Sequence, residues 1–245
     1  MNRLVKPAAK WIAAGVGAAT AAYGAYAAVA WYRYGDAARA TSDQADPLLD
    51  RFMPVYDVVE RHEIRVAAPA AVTLDAARSV ELQASPLVRA IIKAREVLLG
   101  ATPDERPHPR GLLAEVQSIG WGVLADVPDR EVVVGAVTQP WQANVTFHAL
   151  PPDRFAAFNE PGFVKIAWTI RAEPIAETQS VFRTETRAVA TDPESRSRFR
   201  RYWSLFSPGI IAIRWALLRP VKAEAERRAR EGGQAAQTTR VRDPR

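Results

Sequence analysis

Residues 163–190 read FVKIAWTIRAEPIAETQSVFRTETRAVA, and this stretch decides the fold class. Apolar and polar residues alternate on both sides of residues 177–179 (ETQ), which have the composition of a turn. Successive side chains of a strand point to opposite faces, so we expect the face with Phe182 to be covered. The face with Arg183 and Arg187 is predicted to be solvated. The pattern predicts an antiparallel β-hairpin.

The segments on the N-terminal side of this hairpin supply further strands and two helices. Period-two alternation predicts strands at 56–66, 121–127, 131–139 and 144–150, and helical periodicity predicts helices at 71–80 and 86–99. Gly100 is expected to end the second helix. The expected class is therefore α+β with an antiparallel sheet.

A long helix is predicted after the hairpin, over about residues 193–230. Large apolar residues recur there at spacings of three and four, and Pro193 stands at a favourable first position. Pro208-Gly209 is expected to kink the helix, because proline removes a backbone hydrogen bond.

This order of elements resembles the START-like superfamily with the helix-grip fold, and within it the bacterial SRPBCC-type proteins (polyketide cyclase/dehydrase and lipid-transport-like). The residues that carry the resemblance are VVERHEIRVAAPA at 58–70, the hairpin at 163–190 and RFRRYWSLFSPGIIAIRWALLR at 198–219. It covers roughly residues 56–229. The resemblance implies a curved antiparallel sheet wrapped around the C-terminal helix, with an apolar cavity between them. Relatives use such cavities for lipids, sterols, quinones or polyketides, and a few are cyclases or dehydratases.

The implied cavity makes several residues candidates for ligand binding. They are Trp121, Trp141, Trp168, Phe182, Thr184, Thr186, Trp203, Phe206 and Ile210. Each also has a simpler interpretation, since aromatic residues on strands and apolar residues on a buried helix commonly form plain core. The loop at 101–111 and Pro208-Gly209 are candidate rims of the cavity.

Glu60 and His62 are the candidates for catalysis. Both share a strand face with Ile64, so they can form a polar pair that orients a ligand or transfers a proton. The alternative is a strand end whose polar groups are satisfied by solvent or by neighbouring residues.

Other classes of site find little support. The chain has no cysteine, and its three histidines lack the spacing of metal ligands, so no metal and no cofactor are expected. There is no nucleophile motif and no phosphate-binding glycine loop. The formal charge of +6 is concentrated towards the chain ends, and no basic stripe is interleaved with aromatics, so no nucleic-acid partner is expected.

Residues 11–31 (WIAAGVGAATAAYGAYAAVAW) carry no charge and have a tryptophan at each end. The first interpretation is a single transmembrane helix, because about 20 apolar residues span a bilayer and tryptophan favours its interfaces. The alternatives are a cleaved signal peptide and an Ala-rich helix packed on the domain. The basic residues before the span weakly favour an extracytoplasmic domain.

The predicted organisation is an anchor at 1–32, a polar linker at 33–54, a helix-grip domain at 55–230 and a disordered basic tail at 231–245. The function expected from it is a membrane-anchored carrier or binding domain for an apolar small molecule. One alternative is a cyclase or dehydratase using the same cavity, and another is a tethered interaction module whose cavity has collapsed. No protein partner can be identified.

Overall fold

The computed structural model describes residues 5–103 and 109–242. In this part of the chain, six antiparallel strands form one sheet in the order β1-β6-β5-β3-β2, with β4 paired to β3. The strands are β1 Val58–Val66, β2 Gly122–Val127, β3 Glu131–Thr138, β4 Phe147–His148, β5 Val164–Ala176 and β6 Gln179–Ala190. The helices are α1 Val5–Arg33, α2 Pro47–Asp50, α3 Ala70–Ser79, α4 Pro86–Leu99, α5 Leu112–Ser118, α6 Pro152–Ala157 and α7 Pro193–Arg242, with a 3₁₀ turn at Leu82–Ala84.

The α+β class, the curved antiparallel sheet and the long C-terminal helix are confirmed. The hairpin of β5 and β6 lies at the centre of the sheet, with Trp168 opposite Thr186. Strand β1 pairs with the other edge of β6, and His62 lies opposite Thr184. Alternation therefore places these four side chains on the same face of the sheet.

Helices α3 and α7 cover that inner face. Leu217, Leu218 and Val221 of α7 are buried against a core that also contains Ile170 and Phe182. Burial of such side chains is the main favourable term in folding, at about 25 cal/mol per Å² of apolar surface.

Helix α7 is continuous through Pro208 and Pro220 and ends at Arg242. It therefore extends into the segment for which the sequence predicts a disordered tail; residues 243–245 lie outside the described residues. Helix α4 packs closely on α7 at Gly209, where an added Cβ would lie 2.9 Å from Cγ2 of Ile91.

The charged outer face of the hairpin is covered, and the prediction of a solvated face is wrong. Arg187 is only 1% exposed. Its guanidinium donates to Glu185 at 2.7 Å, to Asp50 at 2.6 Å and to the carbonyl of Met53 at 2.7 Å. Alternation shows which residues share a face, but it does not show that a distant segment supplies acceptors that cover them.

The segment before β1, predicted to be a polar linker, provides this cover. Asp46 caps α2 by accepting from the backbone N–H of Leu49 at 2.8 Å, and Pro47 occupies the start of the helix. Leu49 and Met53 are buried against the outer face.

The expectation of a transmembrane helix and a single-pass membrane location is contradicted. Residues 11–31 lie within α1, but no helix in the described ranges is both long enough and apolar enough to cross a membrane. The physical reason is composition: alanine and glycine dominate the segment, and each adds little apolar surface.

Instead, the C-terminal half of α1 packs on α7, as the third interpretation of this segment predicted. The hydroxyl of Tyr26 lies 3.1 Å from Oγ of Ser207. Arg200 donates to the carbonyl of Trp31 at 2.8 Å and lies 4.3 Å from the centre of its ring.

Candidate functional site: an apolar cavity beside Arg214

A cavity of about 240 Å³ lies between the inner face of the sheet and helices α4, α5 and α7. Its wall includes Trp121, Phe147, Trp168, Ile210, Ile213 and Arg214. The wall is predominantly apolar, because aromatic and aliphatic side chains from separate elements converge on one space without filling it.

Two tryptophans form the sheet side of the cavity. Trp168 is 2% exposed on β5, and its ring centre lies 6.2 Å from that of Trp121 in an edge-to-face arrangement. Trp121 also packs on Phe147, at 5.0 Å between ring centres. Aromatic pairs of this geometry stabilise each other beyond their buried area, so they make a preformed wall.

Gly120 allows these rings to approach. Its φ of +104° lies in the region that L residues with a side chain rarely adopt. An added Cβ would fall 2.1 Å from the carbonyl oxygen of Phe147. The glycine is therefore needed both for its backbone conformation and for the close contact with β4.

Arg214 is the charged residue on the helix side of this wall. On α7 it follows Ile210 by four positions and Ile213 by one, and Leu217 continues the same inward stripe. Its guanidinium carbon lies 4.7 Å from the centre of the Trp168 ring, a cation–π contact.

Arg214 is half-buried, and no described side chain or carbonyl accepts a hydrogen bond from it or forms an ion pair with it. Burial lowers its pKa to about 10. The side chain therefore remains a cation at neutral pH, even though its surroundings disfavour the charge.

Glu115 lines the same cavity but does not neutralise Arg214. Its carboxylate accepts from the backbone N–H of Leu82 at 2.8 Å and of Gln83 at 3.4 Å. The carboxylate therefore stabilises the 3₁₀ turn at the edge of the cavity.

A second, outer groove of about 570 Å³ adjoins the cavity. The two spaces share Gln83, Ile92, Ile119 and Phe147 in their walls. The outer groove also includes residues 101–103, the first part of the loop predicted to be a cavity rim; residues 104–108 lie outside the described residues.

Three cationic residues of α4 line the outer groove. Arg89 donates to the carbonyl of Gln83 at 2.6 Å, and Arg95 donates to the carbonyl of Pro140 at 3.1 Å, so neither charge is neutralised by these contacts. Lys93 pairs with Glu96 at 3.2 Å. Among the described residues of this groove, cations outnumber carboxylates.

Glu60 and His62 lie together on the inner face of β1. His62 Nε2 is 3.7 Å from a carboxylate oxygen of Glu60 and has no hydrogen-bond partner among the described residues. The imidazole packs on Trp215, with ring centres 5.2 Å apart. Burial, and then the charge of Arg214, lower the pKa of His62, and burial raises the pKa of Glu60.

Thr184 and Thr186, opposite this pair on β6, are buried, and their hydroxyls have no partner in the described part of the chain. Both are predicted ligand residues, and neither lines the cavity beside Arg214.

The remaining predicted ligand residues lie in packed core. Phe182 is fully buried with α3 and α7. Trp141, Trp203 and Phe206 pack in a separate cluster around Phe199. The structure therefore brings Trp121, Trp168 and Ile210 together at the cavity and places these four residues elsewhere.

Sequence reasoning missed Phe147 and Arg214 as cavity residues. The signal for Arg214 was a charged residue inside an apolar stripe with helical spacing. Within the described ranges, no group of three or more histidine, aspartate and glutamate side chains could hold a metal ion.

No protein-family model and no curated protein matches the chain. Among solved structures, the chain is similar to a norcoclaurine synthase point mutant from Thalictrum flavum in complex with a transition-state analogue. That likeness has 12% identity and a TM-score of 0.33, and it covers 68% of this chain and 92% of the other.

The chain is also similar to the ZhuI aromatase/cyclase from Streptomyces sp. R1128, with 15% identity, a TM-score of 0.23 and coverage of 71% and 97%. A solution structure from Thermobifida fusca has 16% identity, a TM-score of 0.24 and coverage of 70% and 93%. Sequence identities and TM-scores this low support no conclusion about function.

Proposed function

We propose that the chain binds an apolar small molecule in the cavity between the sheet and α7. The observation that carries the proposal is the unfilled space of about 240 Å³ beside the Trp121 and Trp168 rings. Small-molecule sites are typically concave and mostly apolar with a few polar groups, and this space, which is partly open to solvent, has such a lining.

The size of the cavity limits the ligand. Pockets for drug-sized molecules measure about 300–1,000 Å³. A ligand held wholly in the inner space is therefore small, and a longer one extends into the outer groove past Ile92 and Phe147. The open space argues against the alternative of an interaction module with a collapsed interior.

A cyclase or dehydratase activity is the second candidate, because one observation favours it. His62 is held near Glu60 with its Nε2 unpartnered among the described residues, and the pKa shifts of both groups favour their neutral forms. A carboxyl and an imidazole held at one place can donate and accept a proton.

The binding proposal can be tested with N-phenyl-1-naphthylamine, a neutral dye whose fluorescence rises in apolar sites. The full chain is titrated with the dye, and Ile213→Trp is compared with it because the larger side chain fills the cavity. Ile175→Trp is the control, since Ile175 is 52% exposed at the end of the hairpin.

We expect saturable binding to the unmodified chain and to Ile175→Trp, and binding at least tenfold weaker to Ile213→Trp. Equal affinity for all three proteins would show that the dye binds elsewhere and would reject the cavity as the site. To separate a binder from an enzyme, His62→Ala should leave dye affinity unchanged, whereas it should abolish turnover of any substrate later found.

A further inference from the structure

Arg214 carries a charge that no described carboxylate neutralises, and this charge limits the class of ligand that the cavity can bind. Arg214 is half-buried, and a guanidinium that has lost part of its hydration favours a carboxylate or another acceptor in its place. In the described part of the chain its guanidinium packs on the ring of Trp168, which supplies no oxygen acceptor. Glu115, the carboxylate on the same wall, accepts from backbone amides instead.

The position of Arg214 determines how a ligand is oriented in the cavity. Arg214 lies on the helix side of the cavity, while Trp121 and Phe147 form the opposite, apolar part of the wall. The guanidinium is a planar fork of donors that matches the two oxygens of a carboxylate. A molecule that meets both environments has an anionic group at one end and an apolar body.

The outer groove also favours an anionic ligand. Arg89 and Arg95 lack carboxylate partners among the described residues, and one carboxylate, Glu96, pairs with Lys93. Clustered charges of one sign at the entrance of a cleft raise the local concentration of oppositely charged molecules.

We infer that the ligand of this cavity is an apolar carboxylic acid whose carboxylate pairs with Arg214, reached through the cationic groove of α4. The inference rests on the proposed function, since it names the class of molecule that the proposed site takes.

The test uses two dyes with the same ring system. N-phenyl-1-naphthylamine is neutral, and 1-anilinonaphthalene-8-sulfonate carries an anionic group. Both are titrated against the full chain, Arg214→Met and Arg219→Met. The last variant is the control, because it removes an equal charge from an exposed position of the same helix.

We expect Arg214→Met to weaken binding of the anionic dye by about tenfold to a hundredfold, the range of a lost hydrogen bond to a charged group. Affinity for the neutral dye should change less than about threefold, and Arg219→Met should match the unmodified chain with both dyes. An equal loss for both dyes, or no loss in Arg214→Met, would overturn the inference while leaving the cavity proposal intact.

A second measurement needs no variant. Decanoate and 1-decanol compete with N-phenyl-1-naphthylamine for the unmodified chain. We expect decanoate to compete at least tenfold more strongly, and equal or stronger competition by the alcohol contradicts the inference. If the neutral dye fails to bind at all, the proposed function fails with it, so the two failures are distinguishable.

Discussion

The guanidinium carbon of Arg214 on α7 lies 4.7 Å from the centre of the Trp168 ring on β5. This contact joins the C-terminal helix to the centre of the sheet across the rim of the cavity. It also places a positive charge close enough to His62 to lower the pKa of that imidazole, in addition to the larger effect of burial. The site therefore has an internal electrostatic link that can be measured without a ligand.

The first prediction concerns that link. Arg214→Met should raise the pKa of His62, because removal of a nearby positive charge favours the imidazolium. The pKa is measured by NMR titration of the three histidines, with His62→Ala identifying the resonance. Arg219→Met serves as the control and should leave the value unchanged. An unaltered pKa in Arg214→Met would mean that the two side chains do not interact.

The second prediction concerns the covered outer face of the sheet. Arg187→Ala should lower the free energy of unfolding by about 1.5–3 kcal/mol, since it removes one of the two arginines that donate to buried Glu185 and leaves the carbonyl of Met53 without its side-chain donor. Arg65→Ala removes an exposed arginine of the same sheet and should change stability by less than about 0.5 kcal/mol. Urea denaturation measures both, and a loss below about 1 kcal/mol in Arg187→Ala would contradict the packing described for this face.

The third prediction concerns pH. Burial and the neighbouring Asp46 raise the pKa of Glu131 well above its usual value. A carboxyl whose pKa is higher in the folded state stabilises the fold fully below the unfolded-state pKa. That contribution is lost as the pH rises towards the folded-state pKa, by up to about 1.4 kcal/mol per pH unit.

Glu131→Gln stays neutral at every pH and should therefore be more stable than the unmodified chain at pH 8, with the difference shrinking towards pH 5. Denaturant unfolding at the two pH values measures this, and Glu160→Gln provides an exposed control. If Glu131→Gln were the less stable protein at pH 8, the carboxyl would have to be ionised and well paired in the folded state.

The fourth prediction concerns the wall of the cavity. Gly120→Ala should destabilise the fold by about 2 kcal/mol or more, because the methyl group meets the carbonyl of Phe147 and the backbone conformation is strained. Gly100→Ala is the matched comparison, since its φ of +68° is also positive but open space surrounds it. It should cost only about 1 kcal/mol.

Thermal or urea unfolding compares the two glycine variants, and dye titration shows whether Trp121 has moved. Similar losses in both variants would indicate that Gly120 is needed for its backbone conformation alone and not for the approach of β4.

Local signals explain what the sequence predicted well. The hairpin followed from period-two alternation, and α4 was predicted with its observed bounds, Pro86–Leu99. Ser85 caps that helix by accepting from the N–H of Val88, and Gly100 ends it in a left-handed conformation. These features depend on residues within one turn of each other, so a single sequence contains them.

What was missed depends on contacts between distant segments. Arg187 is buried by residues about 135 positions away, and an alternation pattern does not show that a distant segment packs on that face. The apolar run at 11–31 lacks the polar face that is typical of a helix packed on a domain. The pattern therefore did not favour its observed packing on α7 through Tyr26 and Trp31. The cavity is a volume left between several elements, so a local pattern does not give its position. The resemblance implied it, and three of the candidate residues, Trp121, Trp168 and Ile210, line it.

A crystal structure of the full chain with decanoate bound tests the central claim most directly. The account predicts that the carboxylate lies about 3 Å from the guanidinium of Arg214 and that the alkyl chain lies against Trp168 and Trp121. Decanoate bound outside the cavity, or an Arg214 paired with a carboxylate of the protein itself, would contradict it.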